Sequence, residues 1–126
     1  MIERMLEQAQ RNPAALYDLL DDHVRWEVAA LDVPDAGPIY HGPEGVRDFF
    51  RRWIGAFDEW GYEVAETIDA ADSVVVHIRQ WGRGKGSGVA VEQRFWQVWT
   101  IRDGKVIRGT LHTDKAEALD AAGLHR

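Results

Sequence analysis

The sequence predicts an α+β domain in which a curved antiparallel sheet wraps around helices to form a cone. The first observation is the order of patterns along the chain: helices, one strand, a helix, four strands in a meander and a terminal helix. The second is the absence of internal repeats, low-complexity segments and linkers, which predicts a single domain over residues 1–126.

Two helices are predicted at the start of the chain. Residues 2–10 have the apolar spacing of a short amphipathic helix. Asn12 followed by Pro13 is typical of the start of a second helix, because asparagine caps a first turn and proline fits its first position. Leu20 belongs to the apolar side of that helix.

A strand, a long loop and the clearest helix come next. Residues 24–29 have the pattern of a strand, and the loop at 30–38 is long enough to act as a lid. A short strand at 39–41 precedes Gly42, Pro43 and Glu44, the proline and acid of a helix start. Apolar residues then recur at three- and four-residue steps up to position 57, which predicts a helix with a wide apolar stripe.

The second half is predicted to contain four strands and a final helix. The strands are expected at residues 62–68, 73–81, 89–101 and 105–113, with a glycine-rich hairpin loop at 82–88. Asp103 followed by Gly104 is a strong hairpin signal. Asp114 and Glu117 have the spacing of a capping box, and Gly123 is the expected end of the last helix.

Composition excludes several classes of function. The net charge is −6, from 15 basic and 21 acidic residues, so the basic footprint of a nucleic-acid-binding protein is missing. The chain has no cysteine, and its five histidines lack metal-binding spacing, so no metal and no cofactor are expected. Neither a signal peptide nor an apolar run of about 20 residues is present, which favours a soluble cytoplasmic protein with no membrane partner.

The strand at residues 89–101 carries the functional signal. Side chains alternate across a strand, so two glutamines share one face with aromatic residues. A buried amide without hydrogen-bond partners costs about 1–3 kcal/mol, so this face predicts a cavity that holds a ligand or water. A structural hydrogen bond to the backbone or to trapped water is the alternative. The expected lining of the cavity is Gln93, Phe95, Gln97, Trp99, Leu111 and Thr113.

The opposite face of the same strand predicts an interface. Trp96 alternates with the pocket residues, so its indole is expected to lie exposed on the outside of the sheet, with Val98 and Thr110 nearby. An exposed indole of this kind favours a homodimer.

Three segments resemble SnoaL-like proteins of the nuclear transport factor two superfamily. They are residues 12–27 (NPAALYDLLDDHVRWE), 40–50 (YHGPEGVRDFF) and 95–106 (FWQVWTIRDGKV), and the resemblance extends over nearly the whole chain. The superfamily includes ketosteroid isomerases, limonene epoxide hydrolases and polyketide cyclases. The resemblance implies a conical α+β barrel that is open at one end and usually dimeric through the outer face of the sheet.

The isomerase pattern of this superfamily implies a catalytic pair. Its base, a carboxylate at the end of the first strand, corresponds to Glu27, whose pKa an apolar cone would raise. Its oxyanion-binding acid corresponds to Gln97, an amide that can donate to a developing oxyanion but cannot act as an acid. The tyrosine of the pattern would fall near Arg4, where the chain has none. The alternative for Glu27 is a solvated glutamate, or one paired with Arg25 or Arg79.

The hydrolase and cyclase patterns are incomplete in this chain. Their inward aspartate on the last strand corresponds to Leu111, and the second aspartate of the hydrolase corresponds to Trp81. The hydrolase's arginine can be aligned with Arg79, which would place that side chain in the substrate pocket. Alternation with Val76 and Ile78 would instead turn Arg79 outward, and both placements stay open.

The resulting hypothesis is a cofactor-free proton-transfer enzyme, an isomerase, lyase or cyclase, acting on a small apolar oxygenated molecule. Glu27 would move the proton, Gln97 would steady the oxyanion, and Phe95 and Trp99 would hold the carbon skeleton. The competing hypothesis is a non-catalytic ligand-binding or dimeric assembly domain with the same pocket.

Overall fold

The computed structural model describes residues 17–28, 39–55 and 57–124. The helix predicted at 2–10, the start of the second helix and the lid predicted at 30–38 lie outside the described residues. The elements within them, in chain order, are β1 (Leu20–Glu27), β2 (Ile39–His41), α1 (Gly42–Gly55), β3 (Phe57–Asp69), β4 (Ser73–Gly84), β5 (Ala90–Arg102), β6 (Lys105–His112) and α2 (Lys115–Ala121).

The six strands form one curved sheet in the order β2-β1-β6-β5-β4-β3. The predicted α+β fold and its four-strand meander are confirmed, since β3, β4, β5 and β6 are consecutive antiparallel neighbours. β1 also pairs antiparallel with β2, whereas β1 and β6 run parallel. Because β1 enters the sheet beside the last strand, residues far apart in the chain become neighbours across this pair.

The two faces of the sheet carry separate apolar clusters. On the inner face, α1 packs Val46 and Phe49 against a cluster that includes Trp26 and Trp99. On the outer face, α2 packs Ala118 and Leu119 against strands β4 and β5. The outer-face strand residues under α2 are Val75, Trp96 and Val98. The inner face of the sheet is thus the one against α1, and the outer face is the one against α2.

Some strands are longer than the sequence patterns predict. β1 begins at Leu20, in the segment expected to be helical, and the Leu20 side chain is buried in the inner cluster. β3 begins at Phe57 and pairs there with the end of β4. A side chain at Gly82 would contact the Phe57 ring and overlap the Glu59 carbonyl. The glycine therefore permits the close approach that extends both strands.

The turn signal and the Asp114 cap behave as predicted, whereas the Glu117 side chain contacts His112 instead of completing the predicted capping box. Asp103 and Gly104 both have positive φ angles, 52° and 77°, as a two-residue hairpin turn requires. The Asp114 carboxylate accepts a hydrogen bond from the backbone nitrogen of Ala116 at 3.0 Å, and Gly123 follows the helix with φ 78°. Glu117 contacts the His112 ring at 3.3 Å, so this side chain fastens α2 to β6.

Gly109 sets the distance between β1 and β6. It lies directly opposite Trp26 in the parallel register, and a Cβ atom at this position would overlap the Trp26 ring. The missing side chain therefore lets the indole lie flat on β6.

No helix within the described ranges is both long enough and apolar enough to cross a membrane.

Candidate functional site

Gln97 lies buried in the middle of the inner face, as the alternation predicts. Its side chain is 6% exposed, and its backbone neighbours across the sheet are Val76 and Leu111. The Gln97 carbonyl oxygen accepts a hydrogen bond from the Trp99 indole nitrogen at 2.9 Å. None of the residues that the structure describes accepts a hydrogen bond from the Gln97 amide nitrogen. The oxygen of this amide is therefore held in place, and its nitrogen is a donor without an acceptor in the described part of the chain.

A second donor without a partner among the described residues belongs to the inner cluster. Trp26 is fully buried, and its ring centroid is 5.0 Å from that of Trp99, in an edge-on contact. Its indole nitrogen has no hydrogen-bond partner within the described part of the chain. A buried donor in this state costs about 1–3 kcal/mol, so an acceptor that reached it would lower the energy of the fold.

A hydrogen-bonded cluster occupies the same face nearer the end of β4 and the start of β5. Gln80 is 2% exposed, and its carbonyl oxygen accepts from the indole nitrogens of Trp53 at 2.8 Å and Trp60 at 3.0 Å. Its amide nitrogen donates to the carbonyl oxygen of Gln93 at 2.5 Å. Each of the four side chains comes from a different element, namely α1, β3, β4 and β5, so the cluster joins these elements through polar contacts.

Sequence patterns predict some of these residues and miss others. Gln80 follows Val76 and Ile78 at two-residue steps on one strand face, so alternation could have placed it inward. The hydrogen bonds of Trp53 and Trp60 cannot be read from spacing, because the polar partner of each indole nitrogen lies on another element.

Three further predicted pocket residues lie on the inner face and one does not. Phe95 and Leu111 are buried in the inner cluster, and Phe95 meets the Trp53 ring at 5.9 Å between centroids. Gln93 joins the Gln80 cluster but is itself exposed. Thr113 is exposed and follows the end of β6 at His112, so the prediction that it lines the pocket is wrong.

Glu27 lies on the outer face, contrary to the orientation that the isomerase pattern implies. Trp26 points inward, so the next residue points outward, where the Glu27 carboxylate is 2.5 Å from the Arg108 guanidinium and 3.9 Å from that of Arg25. The hydrogen bond from Arg108 holds the pKa of Glu27 below its ordinary value of 4.5. The expected increase in pKa is therefore wrong, and the carboxylate does not join Gln97. The predicted pairing with Arg25 is present as a weaker contact.

Arg79 is also on the outer face, so its assignment to the substrate pocket is wrong. Its guanidinium contacts the Glu63 carboxylate at 2.6 Å and that of Glu92 at 3.5 Å, and it lies 4.6 Å from the centre of the Trp81 ring. The hydrogen bond to Glu63 raises the pKa of Arg79 above its already high ordinary value. Alternation with Ile78 accounts for this orientation.

Trp96 lies on the outer face as predicted, but it is not exposed. Its side chain is 8% accessible because α2 covers this part of the sheet. The His77 ring stacks on the indole with 4.1 Å between centroids, and the ammonium group of Lys115 lies 5.5 Å from the ring centre. The exposed indole that motivated a dimer interface is therefore absent, and the homodimer stays a prediction.

An open groove of about 450 Å³ lies at the end of the sheet where β3 and β5 begin and β4 ends. Residues of β3, β4 and β5 line it, among them Glu59, Trp81, Arg83 and Glu92. Trp81 is 40% exposed. Trp60, whose indole nitrogen donates to Gln80, also borders this groove, whereas Trp26 and Gln97 are not among the residues that line it.

The buried polar groups of the described residues all form hydrogen bonds, and none is a carboxylate. They are Ser73, Gln80, Gln97, Thr110 and His112. Within the same residues, no three His, Cys, Asp or Glu side chains gather closely enough to hold a metal ion. The inner face can therefore donate hydrogen bonds to an oxygen atom and surround a carbon skeleton with aromatic rings.

Comparisons with known proteins agree with this architecture. The family model described as the SnoaL-like domain matches residues 2–109. An NTF2-like protein from Burkholderia thailandensis has 26% identity and a TM-score of 0.77, with 97% of this chain and 94% of the other covered. A second NTF2-like protein, from Burkholderia pseudomallei, has 23% identity and a TM-score of 0.72, with 94% and 92% covered.

A third solved structure carries a different fold description. It is a protein with a ketosteroid isomerase-like fold from Catenulispora acidiphila, with 18% identity, a TM-score of 0.68, and 90% of this chain and 83% of the other covered. At this level of identity the likeness shows the fold alone. Among curated proteins, none matches the chain.

Proposed function

The chain belongs to the SnoaL-like domain family, and on that premise we propose that it binds a small, apolar, oxygen-bearing molecule against the inner face of its sheet. The observation that carries this proposal is the buried Gln97 amide, whose nitrogen has no partner within the described residues although its oxygen is bonded to Trp99. A ligand oxygen at this point would satisfy the donor that has no acceptor among the described residues.

The surroundings of Gln97 support an apolar ligand body. Trp26, Phe95, Trp99 and Leu111 are buried around it, and the described residues contain no buried carboxylate. Flat aromatic side chains recognise carbon skeletons through area burial, while a few polar groups fix the orientation.

The chemistry available at Gln97 is stabilisation of a negative oxygen. An amide donor can steady a developing oxyanion, which is the requirement shared by isomerases, lyases and cyclases. Glu27 would not supply the base for such a step, because its carboxylate faces Arg108 on the other side of the sheet. We therefore propose that the protein binds a ligand on the inner face and that Glu27 is not part of this site.

The test uses the tryptophans as positional reporters. The indole N–H signals of a ¹⁵N-labelled sample are assigned by Trp→Phe variants, and 2-acetylnaphthalene is then titrated into the protein. We expect the signals of Trp26 and Trp99 to shift, because both indoles border the proposed site. The signals of Trp81 and Trp96, which lie on the outer face, serve as internal controls and are expected to stay in place. A titration that moves no indole signal, or moves only those of the outer face, would contradict the proposal.

A further inference from the structure

The groove beside Trp81 is a second concave surface that the proposed function does not use. Its volume of about 450 Å³ is within the usual range of small-molecule sites. Trp26 and Gln97 are not among the residues that line it, so the groove is separate from the inner-face site. Trp81 lines it and is 40% exposed, which leaves a large aromatic surface that a ligand can cover.

The indole of Trp81 is held in place by its neighbours. The ring lies on Gly61 of the adjacent strand, where a Cβ atom would come within 2.9–3.0 Å of three ring atoms. The Arg79 guanidinium covers the ring at 4.6 Å from its centre and is itself anchored by Glu63 and Glu92. Arg79 is not among the residues that line the groove, so the indole presents another part of its surface there. A side chain that is already positioned loses little conformational entropy when a ligand covers it.

The charges near Trp81 cancel one another. Three carboxylates and three guanidiniums form ion pairs with separations of 2.6–3.9 Å. Because these six charges sum to zero, the groove has no net charge with which to attract an ion. An organic cation would approach the guanidiniums as well as the carboxylates, and an anion would meet the reverse. The six side chains are Glu59, Glu63, Glu92, Arg79, Arg83 and Arg94.

The ion pairs at the rim keep hydrogen-bonding capacity for a ligand. Glu59 and Arg83 are 3.5 Å apart, and both side chains are more than half exposed. Glu92 is also more than half exposed, and its contacts with Arg79 and Arg94 are 3.5 and 3.9 Å long. A carboxylate can only accept hydrogen bonds and a guanidinium can only donate them, whereas a hydroxyl group does both. A neutral molecule with several hydroxyl groups therefore suits both members of each pair.

We propose that this groove binds a neutral saccharide, with one face of the sugar ring stacked on Trp81 and the ring hydroxyls bonded to the charged side chains around it. Those side chains are Glu59, Arg83 and Glu92, which line the groove together with the indole. A pyranose ring presents C–H groups on its flat face and hydroxyl groups around its edge, which matches an aromatic wall with a polar rim. Because the groove is open and leaves much of the sugar in water, we expect dissociation constants in the millimolar range.

The experiment titrates two neutral sugars into the ¹⁵N-labelled protein and follows the indole N–H signals. Methyl β-D-glucopyranoside and methyl β-D-galactopyranoside are added up to about 100 mM, well above a millimolar dissociation constant. We expect at least one of them to shift the Trp81 signal and neither to shift those of Trp26 and Trp99. Choline and acetate, titrated at the same ionic strength, represent a cationic and an anionic ligand and are expected to bind more weakly than the sugar.

Three variants test the contribution of the aromatic surface. Trp81→Leu keeps an apolar side chain but removes the flat ring, and should weaken binding of the sugar about tenfold. Trp81→Phe keeps a smaller flat ring and should bind with an affinity between those of the wild type and Trp81→Leu. Ile54→Ala is the matched control, because Ile54 is similarly exposed but lies on α1 and does not line the groove. Its dissociation constant should equal that of the wild type.

A second measurement uses the wild type alone, so it does not depend on how well a variant folds. Protons that lie over an aromatic ring are shifted upfield by the ring current. The C–H protons on the stacked face of the bound sugar should therefore shift upfield, and saturation transferred from the protein should be strongest at the same protons. Equal saturation of all ring protons would contradict a stacked sugar.

Several results would overturn the saccharide site. A Trp81 signal that stays in place with both sugars, or equal affinities for the sugar in the wild type and Trp81→Leu, would do so. Tighter binding of choline or acetate would identify a charged ligand as the occupant instead. A Trp81 signal that moves with protein concentration alone would show that a second copy of the chain covers the groove. The proposal for the inner face is independent of these results, since it is tested at Trp26 and Trp99.

Discussion

At the scale of single residues, the direction in which a side chain points decides its chemistry. Glu27 and Trp26 are adjacent, yet one forms an ion pair on the outer face and the other is buried on the inner face. The alternation of Val24, Trp26 and Val28 already carries this information. The family pattern aligns residues by position and does not record the face, so it assigned Glu27 to the wrong side of the strand.

Glu27→Gln tests the role that the structure gives this carboxylate. Because Glu27 faces away from Gln97, we expect the affinity for 2-acetylnaphthalene to be unchanged. Loss of the partly exposed ion pair with Arg108 should lower the free energy of unfolding at neutral pH by about 0.2–1 kcal/mol. Isothermal titration calorimetry and urea unfolding measure the two quantities, and a marked loss of affinity would restore Glu27 to the site.

The same substitution has a predictable pH dependence. The folded-state pKa of Glu27 lies below 4.5, so the carboxylate stabilises the fold above that pH, and the contribution is lost as the pH falls through the folded-state value. Wild-type stability should therefore decrease below pH 4.5, and Glu27→Gln should decrease less over the same range. Identical acid unfolding profiles for the two proteins would show that the ion pair has no effect on stability.

Gln80 offers a second test at this scale. Gln80→Met removes the acceptor from two indoles and should lower the free energy of unfolding by about 1–3 kcal/mol. Gln80→Glu keeps oxygen atoms towards Trp53 and Trp60 but removes the donor to Gln93, so the Gln93 amide should turn its NH2 group towards position 80. Side-chain amide signals of Gln93 in NMR spectra report this reversal. An unchanged Gln93 environment in Gln80→Glu would contradict the hydrogen bond from the Gln80 amide nitrogen to the Gln93 oxygen.

At the scale of elements, local patterns predict the hairpin and the last helix well, because their signals lie within a few residues. Asp103 and Gly104 form the expected turn, and Asp114 caps α2. The start of β1 at Leu20 could not be predicted in this way. Leu20 becomes part of a strand by pairing with Val106 on β6, a contact made across most of the chain.

Gly109→Ala tests the close contact between β1 and β6. An added Cβ atom would overlap the Trp26 ring, so the indole or the strand must move, and we expect a loss of about 1–3 kcal/mol or more in the free energy of unfolding. Gly55→Ala is the matched control, because its Cβ would meet no atom within 4 Å. Thermal and urea unfolding compare the two variants. Equal stabilities would show that the Trp26–Gly109 contact does not set the spacing of these strands.

At the scale of the whole molecule, the sheet separates two kinds of chemistry. The outer face carries the ion pairs of Glu27 with Arg108 and of Arg79 with Glu63, together with the helix α2. The inner face carries aromatic rings and neutral amides. The fold and the inward orientation of Gln97 follow from the sequence. The free donor at Trp26 and the Gln80 cluster depend on how α1, β1 and β3 are placed against the sheet, and no local spacing encodes that.

The most direct test of the central claim is a crystal structure of the protein with 2-acetylnaphthalene. We expect the naphthalene rings to lie among Trp26, Phe95 and Trp99, with the carbonyl oxygen within about 3.2 Å of the Gln97 amide nitrogen or the Trp26 indole nitrogen. A ligand seated in the outer groove beside Trp81, or one on the inner face with its oxygen directed away from both donors, would contradict the account.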